Sequence, residues 1–578
     1  MQPEKIAPEL LVALDKFQKQ GRPGLTPHIR SLGLVSAVDS PKPARTIVFL
    51  HCDEQAKFDH LSSLGVRVNQ PKGKVRTAIL PLEGLDRLSD EQTVKRIVPS
   101  RYLRLLMDVA PGKVNLPAFR SNSGLSGNGV IVGIVDSGID PKHPAFSGRV
   151  LRIWDQVMSG PGVPEGSYGA ELTGAMLEAS RDTHGHGTHV AGIAAGQDAK
   201  YGGVAPKANL LIVRSDLQDA HIADGIRYIF RVAGELGRPA VINLSLGGHW
   251  DPHDGTDSLS QIVTSESGSG RIVCCAAGNE GDDNIHAQVT IPAGATRTVR
   301  FRVPPGFGGT AILNGWYSGS AALEVSIQVP SRLVTPWQKV ITAGNPSQSY
   351  SLEDSQVDVS TPGPDPTNGD HGVQVFVSGA APGTPIEAGI WKLRLRNPSS
   401  AAVRLDVWII DDSSPQAVFF TGKSVQDSMK VGSPGAAASA ITVASYTTKV
   451  SWKDLGENVR EVGLTLDDIS GFSSEGPLRN GTQKPEVAAP GAMIASALSA
   501  DSSVPESMVV ASGFRIMAGT SMATPFITGV VALLLERNPS LDPNGVKALL
   551  RANSAIPGRP AGTFDPKWGF GLINALNL

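Results

Sequence analysis

From about Leu106 onward, continuous apolar runs alternate with stretches of helical spacing. Residues 129–135, 208–213 and 239–244 are nearly uninterrupted apolar strands, and residues 222–236 between two of them carry a 3.6-residue period. Strands apolar on both faces and separated by helices predict a parallel sheet covered on both sides. Between about Ile285 and Ser428 the period changes to two: Val299, Phe301, Val303; Leu323, Val325, Ile327, Val329; Leu405, Val407, Ile409. Alternation of that kind places one face of each strand in a core and the other in water. Turn formers break these strands at short intervals, so this block of roughly 140 residues is predicted to be an antiparallel β-sandwich. The α/β texture returns after Val431 and runs to Leu578, which makes the β block an insertion.

The N-terminal part has a third texture. Residues 46–50, 66–68, 75–80 and 95–98 are short apolar strands, with helical stretches at 54–64 and 82–94, giving the order β-α-β-β-α-β. Many small α+β domains share that order. Residues 1–21 are expected to form an amphipathic helix on Leu10, Leu11, Leu14 and Phe17, with a Pro-rich joint at residues 41–43. The expected fold class is therefore α/β, a parallel sheet with helices on both faces, interrupted by an all-β sandwich and preceded by a small α+β domain. The expected divisions are an extension at 1–43, the small domain at 44–105, the α/β domain at 106–284 and 429–578, and the sandwich at 285–428.

Composition narrows the function classes. A length of 578 residues exceeds one hydrophobic core, and 40% hydrophobic with 18% charged residues is ordinary for a globular chain. A formal net charge of -2 gives no reason to expect nucleic acid or an anionic membrane as partner. Residues 1–21 lack the apolar core of a secretory signal, and the apolar stretch at 530–535 is far too short to cross a bilayer. Of the three cysteines, Cys274 and Cys275 are adjacent, which excludes a disulfide framework and points to a reducing, cytoplasmic setting; non-classical export stays open.

Four segments carry chemistry. Val135-Asp136-Ser137-Gly138 ends an apolar strand, the edge where catalytic groups gather in open α/β sheets, although a strand-ending Asp more often caps a turn. His184-Gly185-His186-Gly187-Thr188-His189-Val190-Ala191-Gly192 presents a base at the start of a helix of small residues. Three histidines also invite a metal reading, but no Cys or carboxylate cluster completes a site, so no metal and no cofactor are expected. Cys274-Cys275-Ala276-Ala277-Gly278-Asn279 breaks from a strand into Gly-Asn, where an amide can donate to an oxyanion without carrying charge. Gly519-Thr520-Ser521-Met522-Ala523-Thr524-Pro525 places Ser521 at a helix N-terminus, where free N–H groups favour negative charge. Pro525 is expected to be tolerated because first-turn N–H groups have no helical partner.

In the order Asp, His, Asn, Ser these segments resemble the subtilisin-like serine proteases. Supporting matches are Gly203-Val204-Ala205-Pro206, Val241-Ile242-Asn243-Leu244-Ser245-Leu246-Gly247-Gly248, Pro485-Glu486-Val487-Ala488-Ala489-Pro490-Gly491 and Trp568-Gly569-Phe570-Gly571. The resemblance implies a serine endopeptidase in which Asp136 supports His186, His186 takes the proton of Ser521, and Asn279 with the Ser521 N–H holds the oxyanion. It assigns Ser245, Leu246 and Gly247 to an edge that pairs with extended substrate, and these with Gly248, Ala277 and Gly278 to the walls of the specificity pocket. Asp140, His184 and His189 fall outside the matching positions. The N-terminal β-α-β-β-α-β block resembles the family's inhibitory propeptide, so residues 101–108 are expected to enter the cleft as a product-like strand, with self-cleavage within 103–115. An N-terminal propeptide combined with an internal β insertion resembles the spore-germination subtilases. Protein or peptide substrates and the chain's own propeptide are the partners this implies.

The sequence departs from the family in two places. Ala145 stands where many relatives have an Asp that binds calcium, and the Asn-containing loop before Gly203 is missing, so that calcium site is expected to be absent. Residues 215–222 are short and lack the Gly-rich strand of the second cleft rim. Two rival functions are a catalytically silent subtilase-like binding or regulatory protein and an acid-acting sedolisin relative. Sedolisins use a Glu/Asp pair and an oxyanion Asp, which His186 and Asn279 oppose.

Overall fold

The computed structural model describes residues 1–21, 25, 44–101, 104–105, 114–411 and 416–578. They divide into two compact units, one of Met1–Tyr102, His249–Pro252 and Asp283–Asp427, the other of Leu103–Gly248, His253–Asp282 and Ser428–Leu578.

The first unit holds a four-stranded antiparallel sheet in the order Arg67–Val68, Val75–Pro81, Arg45–Cys52, Val94–Pro99, with helices α1 (Pro8–Gln20) and α2 (Gly84–Asp90). The helix expected over 54–64 shrinks to a 3-10 turn, Asp59–Leu64. Buried Arg76 is the reason: its guanidinium takes the carbonyls of Glu54 (2.8 Å), Ala56 (2.9 Å) and Asp53 (3.3 Å), which a helix would need as acceptors. Leu10, Leu11 and Leu14 of α1 share a core with Val48, Leu50, Leu80 and Leu85. Two polar residues of α1 are buried as well, since Glu9 pairs with Arg101 and accepts from Gln374 (3.1 Å), and Lys16 pairs with Asp358 at 2.5 Å.

Residues 283–427 of the same unit form two antiparallel sheets of six and four strands, the predicted sandwich. In the strand Thr296–Val303 the side chains of Val299, Phe301 and Val303 enter the core while Arg300 and Arg302 stay exposed.

The second unit is built on a ten-stranded sheet. Its central strands, Val487–Ala492, Ile441–Thr447, Arg271–Ala276, Ala240–Leu244, Ile131–Asp136, Asn209–Arg214 and Val150–Asp155, are parallel, and antiparallel strands close both edges. Among the described residues six α-helices accompany it: α3 (Leu116–Ser123), α4 (His186–Ala195), α5 (Asp219–Glu235), α6 (Ser258–Glu266), α7 (Thr520–Arg537) and α8 (Pro543–Ala552). Alternation along one strand covers both faces. Val132 and Ile134 join the core with α4 and α7, while a Cβ at Gly133 would lie 2.6 Å from Ile229 of α5. Only glycine lets α5 lie that close to the strand. Asp136 and Asn279 leave the sheet at the carboxyl ends of their strands, the edge where α/β sheets place their sites.

Candidate active site

Asp136 and His186 are fully buried and face each other, with His186 Nδ1 2.7 Å from Oδ1 and 2.9 Å from Oδ2 of Asp136. His186 is the first residue of α4, and that helix start rests directly on the loop after Asp136. A Cβ at Gly187 would stand 2.1 Å from the Gly138 carbonyl, so glycine is required for the approach. One residue that the motifs did not single out ties these segments together. Asp182 Oδ1 accepts from Ser137 Oγ and Gly185 N, both at 2.8 Å, and its Oδ2 accepts from Thr188 N (2.9 Å) and Thr188 Oγ1 (2.6 Å).

Ser521 lies in the first turn of α7, fully buried. Its Oγ donates to the Ser245 carbonyl at 2.8 Å, and Ser245 Oγ donates back to the Ser521 carbonyl at 2.7 Å. Pro525 is the sixth residue of the helix, beyond the expected first turn, where an N–H would normally bond the carbonyl four residues back. That carbonyl is Ser521's, so Ser245 supplies the hydrogen bond that proline withholds. Ser245 Oγ in turn accepts from Asn243 Nδ2 (2.8 Å), and Asn243 Oδ1 accepts from Thr528 Oγ1 (3.0 Å).

Asn279 Oδ1 accepts from Thr520 N (2.9 Å) and Thr520 Oγ1 (3.0 Å). With its oxygen committed to the residue before Ser521, the amide Nδ2 is left to donate elsewhere. Thr520 belongs to the motif around Ser521, and its place beside the serine is the sequence signal for this orienting contact.

Leu246–Gly247 form a short strand paired antiparallel with Arg104–Leu105, Leu246 opposite Leu105 and Gly247 opposite Arg104. Gly248 N donates to the Ser433 carbonyl at 3.0 Å, and Ala277, whose N–H is taken by Val443, packs with Val431, Ala436 and Leu478. Gly278 accepts from Thr520 Oγ1 through its carbonyl at 3.2 Å. On the other rim the chain passes from Asn209–Arg214 into α5 within four residues, of which Gln218 is a single β-bridge position. Of the expected cleft strand 101–108, residues 102–103 and 106–108 lie outside the described residues.

The neighbouring titratable groups have other partners. Asp140 caps Lys142 N and Ala500 N, both at 3.0 Å. His189 is fully buried against the Arg515 carbonyl, and burial holds its pKa well below the ordinary histidine value. Burial and the adjacent His186 lower that of His184. The residues near Ala145 do not fit calcium: Arg149 donates to the carbonyls of Ala195 (2.6 Å), Ala208 (3.1 Å) and Ala145, filling that place with a guanidinium. Among the described residues, no group of three or more His, Cys, Asp or Glu side chains is placed to hold a metal ion, and no helix is long and apolar enough to cross a membrane.

Residues 127–388 and 400–571 match the subtilase family (Peptidase_S8). Serine protease AprX of Bacillus subtilis is 37% identical over 160 residues, 27% of this chain and 33% of the relative. Subtilisin-like protease SBT1.4 of Arabidopsis thaliana is 25% identical over 520 residues, 75% of this chain and 59% of the relative. The chain thus spans between a third and three fifths of the length of these curated relatives. The Clostridium perfringens CspB protease has a similar fold, with a TM-score of 0.66 at 22% identity over 81% of this chain and 98% of that one. Because the match runs over both parts of the α/β unit and includes all four motif segments, the chain belongs to the subtilase family.

Proposed function

We propose that the protein is a serine endopeptidase with Asp136, His186 and Ser521 as its triad. The observation that carries this reading is the fully buried Asp136–His186 pair at 2.7 Å, on the same sheet edge as a serine in the first turn of a helix. Asp136 holds the proton on Nδ1, which leaves Nε2 as the base. Rotation about Cα–Cβ takes the Ser521 hydroxyl from the Ser245 carbonyl to that base, and Oγ attacks the scissile carbonyl. Asn279 Nδ2 and the Ser521 N–H bind the developing oxyanion, and His186 returns the proton to the leaving amine. Water then attacks the acyl-enzyme with the same base.

Leu246–Gly247 serve as the strand on which extended substrate docks, and Ser245, Gly248, Ala277 and Gly278 border the pocket for the residue before the scissile bond. Residues 44–105 act as an intramolecular inhibitor that occupies this edge, supported by the pairing of Arg104–Leu105 with Leu246–Gly247. The sandwich at 285–428 is an insertion in the protease sequence that shares a compact unit with the N-terminal domain. Three free, buried thiols, Cys52, Cys274 and Cys275, support a reducing compartment.

A fluorophosphonate probe tests the reading: wild type labels and Ser521→Ala does not. N-terminal sequencing of both tests the zymogen, with a new terminus within 103–115 expected in wild type alone. Absence of labelling after release of residues 1–105 replaces the enzyme by the catalytically silent binding protein.

A further inference from the structure

We infer that Asp182 is a positioning residue that sets the geometry of the Asp136–His186 pair; the inference rests on the protease reading above. Asp182 is fully buried, and its carboxylate accepts four hydrogen bonds, from Ser137 Oγ, Gly185 N, Thr188 N and Thr188 Oγ1. These donors belong to the residue after Asp136, the residue before His186 and the first turn of α4. Two of them extend the network, since Ser137 Oγ accepts from Gly187 N (3.0 Å) and Thr188 Oγ1 accepts from Asp140 N (2.9 Å). The Asp182 carbonyl is itself fixed by Ser499 Oγ at 2.8 Å. Both partners of the catalytic pair are therefore flanked by groups that converge on one carboxylate.

Asparagine has the same shape and half the acceptors. In Asp182→Asn, an NH₂ group meets donors that need an acceptor, and the strand end and helix start lose their common anchor. A misplacement on the scale of 1 Å lowers turnover about a hundredfold. The buried carboxylate is also bonded to the N–H of the residue before His186, and its negative charge there favours the imidazolium formed when His186 takes the proton.

The test compares full-length wild type with Asp182→Asn and with Asp155→Asn. Asp155 is an equally buried acid in the same unit, holding Val157 N, Met158 N, Ser180 Oγ and Arg214. We expect Asp182→Asn to lose about tenfold to a hundredfold in kcat with KM little changed. The acidic limb of its kcat/KM profile moves to lower pH, because an imidazole without the neighbouring charge stays neutral further into acid. Asp155→Asn lowers Tm and leaves that limb in place. Should Asp182→Asn fail to fold, Ser137→Ala removes one donor and is expected to lose about threefold to tenfold in kcat. Equal losses in the two Asn variants with an unmoved limb overturn the inference. If wild type itself neither labels nor cleaves, the protease reading fails instead. The downfield proton of His186 Nδ1, identified by its absence in His186→Ala, then decides: retention in Asp182→Asn as sharp as in wild type overturns the inference, and its loss there but not in Asp155→Asn upholds it.

Discussion

Ser521 and Ser245 exchange hydrogen bonds in both directions, hydroxyl to carbonyl each way, at 2.8 and 2.7 Å. The bond from Ser245 Oγ exists because Pro525 offers no N–H to the Ser521 carbonyl. We expect Ser245→Ala to lower kcat about threefold to tenfold, the worth of one buried hydrogen bond. Adding Pro525→Ala to that variant restores a helical donor and recovers part of the loss. Steady-state kinetics on the two single variants and the double variant measure the coupling.

Removing Asn279 tests the oxyanion assignment separately from the triad. Asn279→Ala is expected to lower kcat about a hundredfold to a thousandfold with little change in KM. Thr520→Val keeps the backbone bond to Asn279 Oδ1 and removes the hydroxyl bond, so about a threefold to tenfold loss in kcat is expected. A Thr520→Val variant as impaired as Asn279→Ala would show that the hydroxyl does more than orient the amide.

Arg149 makes a stability prediction. Its guanidinium satisfies three backbone carbonyls around Ala145, where the family resemblance would place a calcium ion, so a chelator should leave the melting temperature of wild type unchanged. Arg149→Met leaves the Ala195 and Ala208 carbonyls without that donor, while Ala145 O keeps Gln197 N, and a loss on the order of 3 kcal/mol is expected in denaturant unfolding. A large chelator-induced drop in wild type would contradict both statements.

Acid should weaken the fold by a route that avoids the triad. Burial, and then the charge of Arg96, lower the pKa of His51 to about 4, and burial holds His189 well below its ordinary value. Below an unfolded pKa of about 6.5 the unfolded chain takes up protons that the native one refuses. The His51 contribution is therefore complete above that pH and is lost as the pH falls toward 4. Urea midpoints at pH 7.5, 5.5 and 4.5 measure it, with a shallower pH dependence expected for His51→Gln.

The segments of Asp136, His186 and Ser521 were legible because each lies in a run of a few consecutive residues that the family match covers, and the sandwich because Val299, Phe301 and Val303 alternate with exposed arginines. Asp182 was not. An acid in a loop has no periodic signature, and its partner Ser137 lies 45 residues away in sequence. Arg76 was hidden for the same reason: local spacing over 54–64 reads as helix, and only a strand folded against it shows that the carbonyls are taken. Helix α1 was read correctly as amphipathic, yet Glu9 and Lys16 on its polar side are buried, because their partners belong to segments no local pattern connects.

Those partners have a consequence for how the chain is made. Lys16 waits for Asp358, 342 residues later, and Glu9 for Gln374, 365 residues later. At about 5–20 residues per second, the partners emerge roughly 20–70 s after the helix that needs them. Through that interval the helix can settle on its own small sheet with Glu9 paired to Arg101, while the charge of Lys16 remains hydrated. The first unit acquires its final seam late in synthesis, and a chain stopped before residue 358 would expose two side chains built for burial.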